Sequence, residues 1–289
     1  MKTKMFFLIL SAGIFAFSSC TKDGAPIETD SVNIADDNAV TEVAFDDVFT
    51  TSDNASAMLE DAMPKGDLKS GTILGDSCPV VTVTNPVSGT WPKTITVDYG
   101  DGCTGFWGSS RSGKIIITVS ERRAVLNSTR TVTFDNYYFN GIKVEGTKVI
   151  KNIGFNSSQN MVFELSLTGG KLTLPDGKTI ERSFVHEREW LAGWATKNIW
   201  DDECLVTGTA EGKTINGVAY MNTITSALHW KRACEFFTSG VIKFEREGVE
   251  AVELDYGDGE CDAVATLKRG SESKQITLRH RHRLFNANN

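Results

Sequence analysis

The chain has 289 residues, 40% of them hydrophobic, and a formal net charge of −7 at pH 7. That is enough apolar material for a sizeable core, in one large or two small domains. The acidic balance argues against a nucleic-acid partner, whose phosphates need a basic face.

At the N-terminus, Lys2 and Lys4 precede the apolar run MFFLILSAGIFAF. The run is too short to cross a bilayer as a helix and has the charge pattern of a secretory signal, so residues 1–19 are read as a signal peptide. Ser18 and Ser19 lead directly into Cys20. Small residues before a cysteine resemble the lipobox at which bacterial lipoproteins are cleaved and acylated, which implies lipidation of Cys20 as the mature N-terminus. Removing Lys2 and Lys4 takes the net charge from −7 to −9. Acyl chains contribute about 0.8 kcal/mol per buried methylene, so a multiply acylated cysteine anchors stably. The competing reading is ordinary cleavage, with Cys20 lost or free. The lipid anchor makes the membrane the first expected partner, and the expected location is the outer membrane or cell surface.

Residues 20–37 are polar and acidic without periodicity, as expected of a flexible tether. Within them, Asp30-Ser31-Val32 resembles a short O-glycosylation motif of Bacteroidetes secreted proteins. The pattern over 38–64 is that of one amphipathic helix: Phe45, Val48, Phe49, Ala55, Met58, Leu59 and Ala62 fall near one face. Asp46, Asp47, Asp53 and Asp61 lie elsewhere, and Pro64 with Gly66 ends the helix.

From residue 72 to 289 the period is two. Runs such as VVTVT, KTITVDY, KIIITVS, MVFELSL, KLTLP and QITLRHRH alternate with Gly, Asn, Asp and Ser. Asn140-Gly141, Gly169-Gly170, Asp176-Gly177 and Asn216-Gly217 favour tight hairpins. The fold class expected is all-β: an antiparallel, hairpin-rich two-sheet sandwich or partly closed barrel, preceded by one amphipathic helix.

VDYGDGC, Val97 to Cys103, recurs as LDYGDGEC, Leu254 to Cys261. Cys78 lies 25 residues before Cys103 and Cys234 lies 27 before Cys261, so this symmetry favours Cys78–Cys103 and Cys234–Cys261 disulfides, with Cys204 odd. Sequence alone leaves other pairings open. Outside the cytoplasm each bond contributes about 3–4 kcal/mol by loop entropy. Asp-x-x-Asp-Gly could hold calcium, but two carboxylates per copy make a turn the simpler reading. The motif also resembles the Asp-Phe-Gly-Asp-Gly turn of PKD domains, from which the cysteines depart.

The phrases TVTFDNYYFNGIKVEGTKVI, REWLAGW, INGVAYMNTIT and LDYGDGECDA resemble a family of Bacteroidetes envelope lipoproteins over roughly residues 75 to 285. The resemblance implies a lipoprotein with an all-β body and carries no catalytic residues or cofactor.

Motifs of catalysis are sparse. Neither a Gly-x-Ser-x-Gly elbow, nor HExxH, nor a paired CxxC occurs, so no catalytic residue, metal ligand or cofactor is assigned. Glu187 and Glu189 could be imagined as a glycosidase pair, but i and i+2 on a strand usually make a solvated edge. His280 and His282 share one side of TLRHRHRLF with Leu278 and Leu284, which favours partly buried structural histidines over a metal site. Arg279, Arg281 and Arg283 on the other side could grip an anion, against a solvated-edge alternative. Trp190, Trp194 and Trp200, with Tyr137, Tyr138 and Phe139, are candidates for stacking sugars, against a core role. The expected function is therefore a lipid-anchored envelope protein with a binding or structural role, its further partner a glycan or an envelope protein. A periplasmic or surface polysaccharide hydrolase is the alternative.

Overall fold

A computed structural model describes residues 27–63, 72–74, 78–85, 87–104, 109–194, 196 and 198–278. Cys20 and the Arg279, Arg281, Arg283, His280 and His282 cluster lie outside the described residues. Among the described residues the first element is helix α1 (Thr29–Ala62), followed by fifteen strands. These are β1 (Thr72–Leu74), β2 (Val80–Thr84), β3 (Lys93–Asp98), β4 (Cys103–Thr104), β5 (Ser110–Val119), β6 (Thr129–Phe139), β7 (Ile142–Phe155) and β8 (Met161–Thr173). There follow β9 (Thr179–Ala192), β10 (Glu203–Lys213), β11 (Ala219–Lys231), β12 (Ser239–Arg246), β13 (Val249–Asp258), β14 (Val264–Arg269) and β15 (Glu272–Thr277).

Every strand pairs antiparallel with its neighbours in sequence, apart from β4, which sits off the path on β5. The expected all-β antiparallel class with one preceding helix forms; its strands make a single sheet that is not closed into a barrel, with no second sheet packed on it among the described residues. Alternation explains it. Along β9 the inward side chains are Ile180, Arg182, Phe184, His186, Arg188 and Trp190, while Val185 and Glu187 face solvent. A strand with one buried face of this kind needs a layer to cover that face only.

The covering layer is α1. Its 34 residues, about 51 Å at 1.5 Å per residue, are buried on all sides over much of their length, including every residue from 34 to 41. This differs from the sequence reading in two ways. The helix starts at Thr29, so residues 29–37 are not part of a flexible tether, and it is not amphipathic against solvent: Asp36, Asp37 and Asp47 are buried. The physical reason is charge. α1 contains nine acids and no base, and the sheet meets it with cations.

Arg188 on β9 pairs with Asp46, Arg111 on β5 with Asp47, Arg182 on β9 with Glu42, and both Arg130 on β6 and Arg123 with Asp53. Near the helix start, Arg246 on β12 pairs with Glu28, and Arg269 on β14 donates to Ser31. Between these pairs Phe45, Val48, Phe49 and Leu59 fill the core, each contributing about 1.5–3 kcal/mol by burial. The Arg188 guanidinium lies 4.2 Å from the Phe49 ring centroid, so the ionic and apolar layers interleave.

Expected hairpins form at Asn140-Gly141, Asp176-Gly177 and Asn216-Gly217. Gly169-Gly170 is a correction: MVFELSL and KLTLP are one strand, β8, with a register shift between Leu167 and Gly170. Gly169 takes φ +60 there and makes a bulge, which bends the strand round the helix without ending it.

Candidate functional site

The two repeated corners match contact for contact. Asp98 accepts the Gly100 N–H at 2.8 Å and pairs with Lys114 at 3.0 Å; Asp255 accepts the Gly257 N–H at 2.9 Å and pairs with Lys268 at 2.7 Å. These bonds hold both carboxyls below their usual range: backbone donation from Gly100 leads for Asp98, and Lys268 leads for Asp255. Tyr99 and Tyr256 are buried behind the turns. The aspartates are thus spent on turn geometry.

Cys78 bonds to Cys103 and Cys234 to Cys261, with Cα separations of 5.9 and 5.4 Å, as the repeat predicted. Cys204 is a free, fully buried thiol opposite Trp190 in the ladder. Burial pushes its pKa well up and makes it a poor nucleophile.

The corners come from distant parts of the sheet order, yet both border one cleft of about 910 Å³. The curl of the sheet around α1 brings them together. The helix supplies the floor through Asp46, Asp47, Thr50, Thr51, Asn54 and Met58. One wall carries Val81, Val97, Tyr99 and Arg111, the other Trp200, Trp230 and Arg232. The floor carboxylates are matched, Asp47 by Arg111 and Asp46 by Arg188, and Arg232 donates to Thr50. Burial, with Asp47 next, raises the Tyr99 phenol to about 12, so the hydroxyl stays protonated.

Trp200 is held at the rim by a short 3-10 turn, Ile199–Asp201. Asn198 Oδ1 accepts the Trp200 N–H at 3.2 Å, and Thr196 donates to Asp201 at 2.9 Å. The indole is 42% exposed despite this bracing. Beside it, burial followed by the Asp53 charge raises Asp202 to about 7.

Of the aromatic residues singled out from sequence, Trp200 is at the cleft rim and the others fall elsewhere. Trp190 is 4% exposed and packs in the core with Trp194, their ring centroids 5.7 Å apart, while Tyr138 is on the solvent face of β6. These three do not share a surface, because Trp190 points inward and Tyr138 outward. Glu187 faces solvent and Glu189 accepts from Asn160 at 2.7 Å. Sequence reasoning did not single out Thr50, Thr51, Asn54, Trp230 or Arg232. The one available signal was Trp200 beside Asn198 and Asp201, a turn composition carrying a large ring.

Among the described residues no group of three or more His, Cys, Asp or Glu could hold a metal ion, and no helix is long and apolar enough to cross a membrane. Compared with family models, curated proteins and solved structures, the chain matches none of them.

Proposed function

We propose that this chain is a lipid-anchored protein of the outer membrane or cell surface that works by binding, and that the cleft between the two disulfide corners is its recognition site. One observation carries the reading: the cleft has a rigid, stapled frame and a ring held to solvent, while both floor aspartates are already matched to arginines. Hydrolysis of a glycoside needs two carboxyl groups free to exchange protons or attack, at about 5–10 Å separation. Asp46 and Asp47 are spent on Arg188 and Arg111, which favours holding a ligand over cutting it. The apolar leader and Ser18-Ser19-Cys20 support the anchor.

Two measurements test this. Cells grown with labelled palmitate should yield a labelled, membrane-bound protein, and Cys20→Ser should release it unlabelled. Incubation of the purified protein with envelope and host polysaccharides should change its tryptophan emission without liberating reducing ends. Reducing-end release lost in Asp46→Asn or Asp47→Asn would turn the assignment to the hydrolase.

A further inference from the structure

The geometry points to a neutral oligosaccharide as the ligand of this cleft. This inference rests on the cleft being the recognition site. The volume, about 910 Å³, lies at the upper end of the range of about 300–1,000 Å³ for small-molecule sites, which leaves room for more than one sugar ring.

Three features select the class. The first is Trp200, the ring that the braced turn holds 42% exposed at the rim. The Arg232 guanidinium lies 6.0 Å from the ring centroid, and the exposed part of the indole presents an apolar plane of the kind on which the C–H face of a pyranose packs. The second is the floor, where the half-buried Thr50, Thr51 and Asn54 line the cleft from α1. The Asn54 amide makes no side-chain hydrogen bond among the described residues, so it offers both a donor and an acceptor, as vicinal hydroxyls require.

The third is charge. The lining holds two cations, Arg111 and Arg232, against Asp46, Asp47 and Glu235. Arg111 is committed to Asp47 and Arg232 to Thr50. Thr50 is neutral and leaves the Arg232 charge in place, but with three acids against two cations the lining has no net positive charge, so a phosphate or carboxylate would lose hydration without a net electrostatic gain, whereas a neutral sugar avoids that cost.

The test uses the full-length protein with both disulfides intact, in a detergent without a sugar headgroup. Calorimetry and tryptophan emission are read against neutral hexasaccharides (malto-, cello-, xylo- and manno-series), oligogalacturonate, a heparin hexasaccharide and an acidic peptide. At least one neutral series should bind and shift the emission. Trp200→Ala should weaken that binding about tenfold or more, equivalent to about 1.4 kcal/mol, with melting temperature and circular dichroism unchanged. Asn54→Ala should weaken it in the same direction, and Tyr138→Ala, on the solvent face of β6, should leave it alone. Binding only by the anionic glycans or the peptide, still sensitive to Trp200→Ala, would overturn the neutral class and leave the cleft reading standing. Absence of binding by every compound, or binding indifferent to Trp200→Ala, would overturn both.

Discussion

Lys148 shows how far the interior departs from an apolar core. It projects from β7 to the helix, donates to the Phe45 carbonyl at 2.7 Å and is fully buried. Burial lowers its pKa to about 7, with Asp46 opposing and Arg188 reinforcing the shift. The folded-state pKa lies below the unfolded value, so between pH 7 and about 10.4 the unfolded chain holds a proton that the folded chain lacks. Stability from this group therefore rises with pH across that window, and the full cost is present below it. Lys148→Met should flatten the rise, and urea melts of both proteins from pH 6 to 10 would reveal it. A parallel pair of pH profiles would contradict the buried-lysine account.

Asp53 carries the opposite sign. Burial alone would raise its pKa, but Arg130 and then Arg123 more than offset that and lower it. Its contribution is present above the unfolded value near 3.9 and is lost as pH falls through the lower folded value. Asp53→Ala leaves Arg130 facing the core without its carboxylate and Arg123 with Glu60 alone, and should cost about 3–5 kcal/mol by denaturant titration at pH 7. A loss below about 1 kcal/mol would mean that solvent reaches these groups.

At the scale of elements, the first corner makes a sharper prediction than its sequence does. Gly100 and Gly113 both have positive φ, 55 and 75. A Cβ on Gly100 would meet open space, whereas one on Gly113 would fall 1.9 Å from the Asn136 carbonyl oxygen at the β6 irregularity. Gly100→Ala should cost only the left-handed conformation, about 1–2 kcal/mol, and Gly113→Ala clearly more, read as the difference in melting temperature. Equal costs would mean that β5 and β6 part easily at this point.

The same scale explains what could be read in advance. Strands and most turns were legible because a sheet with one solvated face writes its alternation into the chain, and the cysteine pairing was legible because the corner occurs twice. Residues 29–37 were not. Acidic residues without an apolar stripe look solvated unless their partners are known, and the groups that meet this stretch, Ile215, Arg246 and Arg269, lie more than 170 residues away. Gly169-Gly170 misled because a bulge and a hairpin need the same φ. The cleft was invisible since its walls come from β2, β3 and the segments around the 3-10 turn Ile199–Asp201 and Arg232, which meet only when the sheet curls. Trp190 drew attention through its type, while its place in the inward register of β9 sends it to the core.

For the whole molecule, the helix and the cleft are one problem. The fifteen strands of the described residues form a sheet left open with a long concave face, and α1 fills it with acids matched to that face's cations. The space left where the corners approach each other is the cleft, so its floor is only as rigid as the helix is fixed. Amide hydrogen exchange measured residue by residue decides this most directly. The account predicts that amides from Ile34 to Leu59 exchange as slowly as those of the central strands β6 to β10, and lose protection with them in one step as denaturant is added. Helix amides exchanging at the rate of a solvent-exposed helix, well before the strands, would contradict it.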